Sequence, residues 1–271
     1  HMDRVLGKWQ RALGIRSRSG WKAPMGALLD HRVALACRQA AANADGILVN
    51  SSADKAFIEN TYRLPEPRVA CVPQASPAGF LDTPAGPMTP ERLNQLVFVG
   101  PAQFYKGVDI MVPAVQELMS KHPDASFTWV CPEADMNAIE HLFTGTPRQQ
   151  LRLLPYGAQD QLKGVLDVCG IFIFPSLFEG FGKAPLEAMA RGLCVVSSNV
   201  GGIADIIDSG RDGVLVPAGD VRALAAAVGH LLSDFPAAVA MGKNARETAL
   251  EYTWLRTGQE ISRWLDVLER R

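Results

Sequence analysis

From Leu96 onward, short apolar runs alternate with stretches of helical spacing, and this alternation constrains the fold more than any other feature. The runs are "LVFVG", "SFTWVC", "LRLLPYG", "GIFIFPS", "CVVSSNV" and "GVLVPAG". They are largely apolar at successive positions, so both faces of each strand favour burial. Strands of this kind pair in parallel beneath helices on both sides. Between them, segments such as "VDIMVPAVQELMSK" and "VRALAAAVGHLLSD" repeat apolar residues at three- and four-residue steps. Six such units over about 135 residues make one complete doubly wound, Rossmann-like α/β domain. Pro113 is expected in the first turn of its helix, with Asp109 as N-cap, where a missing N–H is tolerated.

Upstream the pattern is shorter. A helix over about 24–43, a strand "GILVN", a helix opening at "SSAD" and a strand "RVACVP" form one βαβ unit, too little for an independent sheet. The proline-rich "SPAGFLDTPAGPMTPE" reads as a connection. The expected division is a partial segment over 3–76, a linker over 77–95, the complete domain over 96–252, and a last helix over 253–271 that crosses back to the first part.

A net charge of −1 gives no bias toward nucleic acid or anionic membrane for the chain as a whole. Residues 3–22 differ locally, with six basic side chains and one acid among Trp9, Leu13 and Trp21. That segment reads first as a solvated helix face near a chain end, and second as a peripheral contact with anionic lipid or a partner. No apolar run approaches the roughly 18 residues of a membrane span. The five cysteines are scattered without a C-x-x-C and read as small buried hydrophobes in a reduced, cytoplasmic setting.

The stretch "PSLFEGFGKAPLEAMARG" joins a strand to a helix with Pro185 in its first turn. Ligands of such sheets bind at helix N-termini beyond the strands' carboxyl ends, where free N–H groups favour anions. Gly180 and Gly182 allow close backbone approach there, and Glu179 and Glu187 stand before and inside the helix. "GFGKAP" fails as a dinucleotide fingerprint. Its third glycine is Pro185, and the next strand ends in Asn199 where a ribose-binding acid would stand. A glycosidase reading would need both acids flanking one bond, whereas this spacing suits two points along an extended ligand. Helix-start glutamates also serve as dipole partners without any ligand.

The run "EGFGKAPLEAMARGLCVVSSNVGGIADIIDSGRDGVLVPAGD" closely resembles the signature region of glycosyltransferase family 4, retaining enzymes of GT-B fold that use nucleotide sugars. "FVGPAQFYKGVDIMVPAV" and "LLPYGAQDQLKGVLDVCGIFIFPS" are similar to segments preceding that signature, and the resemblance runs from about Ala44 to the C-terminus. It implies that Glu187 takes the ribose hydroxyls and Glu179 the hydroxyls of the donor sugar. The backbone of Gly180, Phe181 and Gly182 would line that sugar, and the N–H groups of Lys183 and Ala184 would hold the diphosphate. Lys106 would neutralise the diphosphate and assist its departure, Gly100 would line the donor, and Tyr156 and Gly157 would lie near the base. Gly201 and Gly202 would shape the adjoining loop, or form only a tight turn.

Two positions depart from the family pattern. Pro101 and Ala102 stand where an arginine usually follows "VG", and "PQASPAGF" replaces an "NG-[VI]-D" turn. No D-x-D occurs, which agrees with a transfer needing neither metal nor other cofactor, the nucleotide sugar being substrate. Two Rossmann domains of about 150 residues each would need about 300, so most of the acceptor-side domain is expected to be missing. The expected activity is sugar transfer to a glycan, lipid-linked or small-molecule acceptor, with turnover by this chain alone expected to be slight. Alternatives are a nucleotide-sugar-binding module without catalysis and a UDP-sugar epimerase of GT-B fold. A half domain also implies exposed sheet edge and self-association.

Overall fold

In the computed structural model the described residues are 23–270, together with residue 8. All but one position of the basic 3–22 segment therefore fall outside the described residues.

The expected βαβ unit is present. Helix α1 (Ala23–Asn43) leads to strand β1 (Ile47–Val49), helix α2 (Ser52–Tyr62) and strand β2 (Val69–Cys71). The Ser51 side chain caps α2 by accepting the Asp54 N–H at 3.1 Å. β1 and β2 pair in parallel as a separate two-stranded sheet, with Ile47 opposite Val69.

The connection over 77–95 is more structured than its prolines suggest. Its helices α3 (Ala78–Leu81) and α4 (Pro90–Leu93) pack onto the larger body. Phe80 is fully buried. Arg92 is only 7% exposed. It donates to the carbonyls of Cys169 at 2.8 Å, Gly86 at 2.5 Å and Arg191 at 2.7 Å. The segment is thus stapled to the sheet that follows it.

That sheet has six parallel strands: β3 (Gln95–Val99), β4 (Ser126–Cys131), β5 (Leu151–Pro155), β6 (Ile171–Phe174), β7 (Cys194–Ser198) and β8 (Val214–Val216). All six runs read from the sequence are strands. Their spatial order is β5-β4-β3-β6-β7-β8. The chain winds outward from β3 in one direction, then returns to β6 and winds the other way. Right-handed crossovers therefore place helices on opposite faces, and the order reverses between β3 and β6. Every residue of β6 and β7 is buried, as strands covered on both faces require. Trp129, Phe98, Phe127 and Phe143 form an edge-to-face and tilted aromatic cluster in the core, the Phe98–Trp129 centroids lying 5.3 Å apart.

The crossover helices are α5 (Val108–Lys121), α6 (Glu133–Leu142), α7 (Gln159–Val168), α8 (Lys183–Ala190) and α9 (Ile203–Ile206), and α10 (Val221–Ser233) follows the last strand. α5 begins two residues earlier than expected. Its N-cap is Gly107 at φ 73°, not Asp109, so Pro113 is the sixth helical residue. Pro113 is exposed, which leaves the carbonyl lacking its N–H partner on the solvent side.

Two further helices, α11 (Phe235–Leu250) and α12 (Trp254–Glu269), end the described chain. α12 returns to the two-stranded sheet. Trp264 Nε1 donates to the Pro67 carbonyl at 2.7 Å and Thr257 Oγ1 to the Pro73 carbonyl at 3.1 Å. No single described helix is long and apolar enough to cross a membrane. Three cysteines are buried, as expected, whereas Cys37 is exposed and Cys71 only half-buried. Burial pushes the Cys169 and Cys194 thiols up to about 12, so both stay protonated.

Candidate active site

The reversal between β3 and β6 opens a crevice at the carboxyl ends of the strands, the place where doubly wound sheets bind ligands. Lys106 follows β3 and Glu179 follows β6, so the two meet although 73 residues separate them. Lys106 Nζ donates to Glu179 Oε2 at 2.6 Å, with the side chains 15% and 18% exposed. The ammonium also lies 5.2 Å from the Tyr105 ring centroid and 5.6 Å from that of Phe174.

Three glycines make this approach possible. Gly107 adopts φ 73°, and a Cβ there would run into the Pro175 carbonyl oxygen. The Lys106 turn therefore lies directly on the loop carrying Glu179, and the Leu177 N–H donates to the Tyr105 carbonyl at 2.8 Å. Gly201, at φ 63°, would place a Cβ 2.5 Å from the Glu179 carbonyl oxygen. The Gly202 N–H donates to the Gly180 carbonyl at 3.0 Å. Gly201 and Gly202 are thus more than a turn, since they buttress the Glu179 loop from behind. Gly180, in contrast, faces open space where a Cβ would stand, so a ligand can approach its backbone.

The resulting cleft has a volume of about 420 Å³, within the range of small-molecule sites. It unites Lys106, Glu179, Gly180, Phe181, Gly182, Lys183 and Ala184, all singled out from the sequence. Phe181 contributes mainly main chain, because its ring is only 4% exposed and belongs to the core. Gly182, at φ 92°, caps α8, leaving the Lys183 and Ala184 N–H groups at the helix start.

Gly100, Glu187, Tyr156 and Gly157 are not among the residues that line this cleft. Gly100 ends β3, where its carbonyl accepts Trp129 Nε1–H at 2.8 Å. Glu187 lies one helical turn beyond Lys183 and is half-buried. Desolvation raises the Glu187 carboxyl above the ordinary carboxylate range, with Lys183 opposing the shift. Tyr156 and Gly157 follow β5, two strands away from β3, and do not line the cleft. Tyr156 is half exposed. Burial of its remainder, with Cys131, Asp135 and Tyr105 nearby, pushes its phenol up to about 12.

Besides the apolar Val99 and Phe174, two polar cleft residues went unnoticed in the sequence, Asn50 after β1 and Gln74 after β2. The usable signal was their place just beyond the carboxyl ends of strands. They reach the cleft because the two sheets are clamped together. The Ser52 N–H and Oγ–H donate to Asp205 Oδ2 and Oδ1 at 2.7 and 2.5 Å. Among the described residues, no group of three or more His, Cys, Asp or Glu side chains is placed to hold a metal ion.

A sequence profile described as "Glycosyl transferases group 1" matches residues 94–234, over half of the chain. The chain belongs to this glycosyltransferase family. The match spans β3 to α10 and contains Lys106, Glu179 and Glu187. Among curated proteins, a D-inositol 3-phosphate glycosyltransferase of Corynebacterium urealyticum is 30% identical over 81% of this chain and 56% of its own length. The chain therefore spans about half the length of the curated relatives it matches. Among solved structures, TarM of S. aureus, crystallised in a complex that includes UDP, has a TM-score of 0.73 at 18% identity, covering 85% of this chain and 45% of its own. HepE of Anabaena, crystallised with UDP and glucose, has a TM-score of 0.71 at 19% identity, covering 86% of this chain and 66% of its own. At such identities the likeness concerns the fold, and it agrees with the α/β, GT-B-type architecture expected from the sequence.

Proposed function

We propose that this chain is the donor-binding part of a retaining, metal-independent family 4 glycosyltransferase, which moves a sugar from a nucleoside-diphosphate sugar to an acceptor. One observation carries the reading: the Lys106–Glu179 pair faces the start of α8 across a single cleft at the sheet's switch point. A cation and helix N–H groups on two sides suit a diphosphate. In this reading the Lys183 and Ala184 N–H groups hold the diphosphate and Lys106 stabilises the charge that develops on it as the sugar leaves. Glu179 then turns from Lys106 toward the sugar hydroxyls, beside the main chain of Gly180–Gly182. Glu187 accepts from both ribose hydroxyls, and the base extends toward Tyr156 and Gly157. The UDP held in the HepE and TarM complexes supports uridine as the base. Five free thiols suit action in a reducing, cytoplasmic setting.

The test is thermal stabilisation by UDP compared with GDP and ADP. A nucleotide at about 100 times its Kd adds about 2.7 kcal/mol to stability. A rise in Tm with UDP well above the other two supports the reading. No rise with any of the three removes it.

Glu187 supplies a second check. Glu187→Ala is expected to cost about 2 kcal/mol in UDP affinity, because it leaves both ribose hydroxyls unmatched. The raised Glu187 carboxyl adds a pH dependence. The folded chain takes up this proton more readily than the unfolded chain, so Glu187 costs stability above the ordinary carboxylate range and that cost disappears on acidification. A protonated Glu187 loses acceptor capacity, so UDP-glucose affinity should fall on acidification before ordinary carboxylates titrate. Calorimetry across that range should show the fall in the parent and a flat, weak response in Glu187→Gln. Parallel profiles would place Glu187 away from the nucleotide.

A further inference from the structure

Asn50 and Gln74 enter the donor cleft from the two-stranded sheet, and among the described residues neither carboxamide has a hydrogen-bond partner. Their main chains are nevertheless fixed. A Cβ at Gly202 would come within 2.6 Å of the Asn50 carbonyl oxygen, so only glycine admits this approach. Two residues further on, Ser52 is held by both oxygens of Asp205. On either side of Gln74, the Pro73 carbonyl accepts from Thr257 and the Ser76 N–H donates to the Tyr252 carbonyl at 3.1 Å. Two polar side chains on pinned backbone, without protein partners, are placed to meet something in the cleft.

The chemistry of that wall is specific. A carboxamide offers both donors and an acceptor but no charge. Once Lys106 is taken up by the diphosphate, the Glu179 carboxylate stands beside the two carboxamides on the sugar's side of the cleft, where it accepts from hydroxyls and repels an anionic sugar. Paired donors and acceptors without net charge match the hydroxyl groups of a neutral sugar.

We propose that Asn50 and Gln74 position the transferred sugar of the donor by hydrogen bonds to its hydroxyls, and so favour an uncharged sugar. The proposal rests on the nucleotide-sugar reading above. It gives the N-terminal segment a part in donor recognition, which the sequence alone had confined to residues from Gly100 to Gly202.

The experiment is calorimetry of the 271-residue chain and its Asn50→Ala, Gln74→Ala and Gln74→Met variants, with UDP, UDP-glucose and UDP-N-acetylglucosamine as probes. Each variant should weaken the tighter-binding sugar nucleotide about fivefold, the loss of one hydrogen bond, while UDP stays within about twofold. Gln74→Met keeps the side-chain length, so a packing role predicts parental affinity for it and a hydrogen-bonding role predicts the same loss as alanine. Equal losses for UDP and the sugar nucleotide, or no loss in any variant, would overturn the proposal. A parent that fails to bind UDP would instead overturn the functional reading, and the proposal with it. The same titrations separate the two failures.

Discussion

Replacing Lys106 with alanine is expected to weaken UDP binding roughly ten- to a hundredfold while leaving UMP within about threefold. The asymmetry follows from where the ammonium sits. Lys106 is bonded to Glu179, which precedes α8, whereas Glu187 stands one turn inside that helix. It should therefore meet the outer phosphate, which UMP lacks. The alanine variant has a second effect, because it leaves the Glu179 carboxylate uncompensated beside the incoming diphosphate. In a site this enclosed, like charges repel more strongly than in bulk water. Glu179→Gln should act in the opposite sense: it frees Lys106 and should keep or improve UDP affinity, while a sugar nucleotide loses a charged acceptor for its hydroxyls. Calorimetry with UMP, UDP and UDP-glucose on both variants reads this pattern. Equal losses for UMP and UDP in Lys106→Ala would place the lysine elsewhere.

The second large effect concerns stability. Arg92→Ala is expected to cost about 3 kcal/mol, because it withdraws donors from buried carbonyls at Cys169 and Arg191 as well as from Gly86. The guanidinium itself is expensive to bury, and its pKa is pushed down by desolvation. Removing that cost offsets part of the loss, so the value stays below the sum of three unmatched groups. Arg92 joins the segment before β3 to Cys169, two residues before β6, and to the end of α8; β3, β6 and α8 carry the site. Urea unfolding with an unchanged slope and a lowered midpoint would agree. An unfolding free energy within about 0.5 kcal/mol of the parent would mean that the connection tolerates loss of its staple, as surface substitutions do.

The contrast between these two residues shows what a sequence displays. Six strands and most helices were legible because periodicity reports which faces of an element are buried, and β6 and β7 are buried on both. Lys106, Glu179 and the Gly180–Ala184 stretch were legible through motif resemblance and through the rule for carboxyl ends of strands. Arg92 was not, since its partners lie 77 and 99 residues away and a polar staple leaves no periodic trace. Asn50 and Gln74 were missed for the same reason: their role depends on how one sheet meets another. The N-cap of α5 was misplaced because Gly107 answers to packing against Pro175 rather than to local capping preference. The motif marks Phe181 as lining the sugar through its backbone; that its side chain belongs to the core is not revealed by the motif alone.

The most direct test of the central claim is a crystal structure of this chain soaked with UDP-glucose. The account predicts the diphosphate between Lys106 and the N–H groups of Lys183 and Ala184, the ribose on Glu187, and the glucose beside Glu179 with Asn50 and Gln74 in reach. Density for the nucleotide at any other place, or an empty cleft at a concentration that saturates the calorimetric signal, would contradict it.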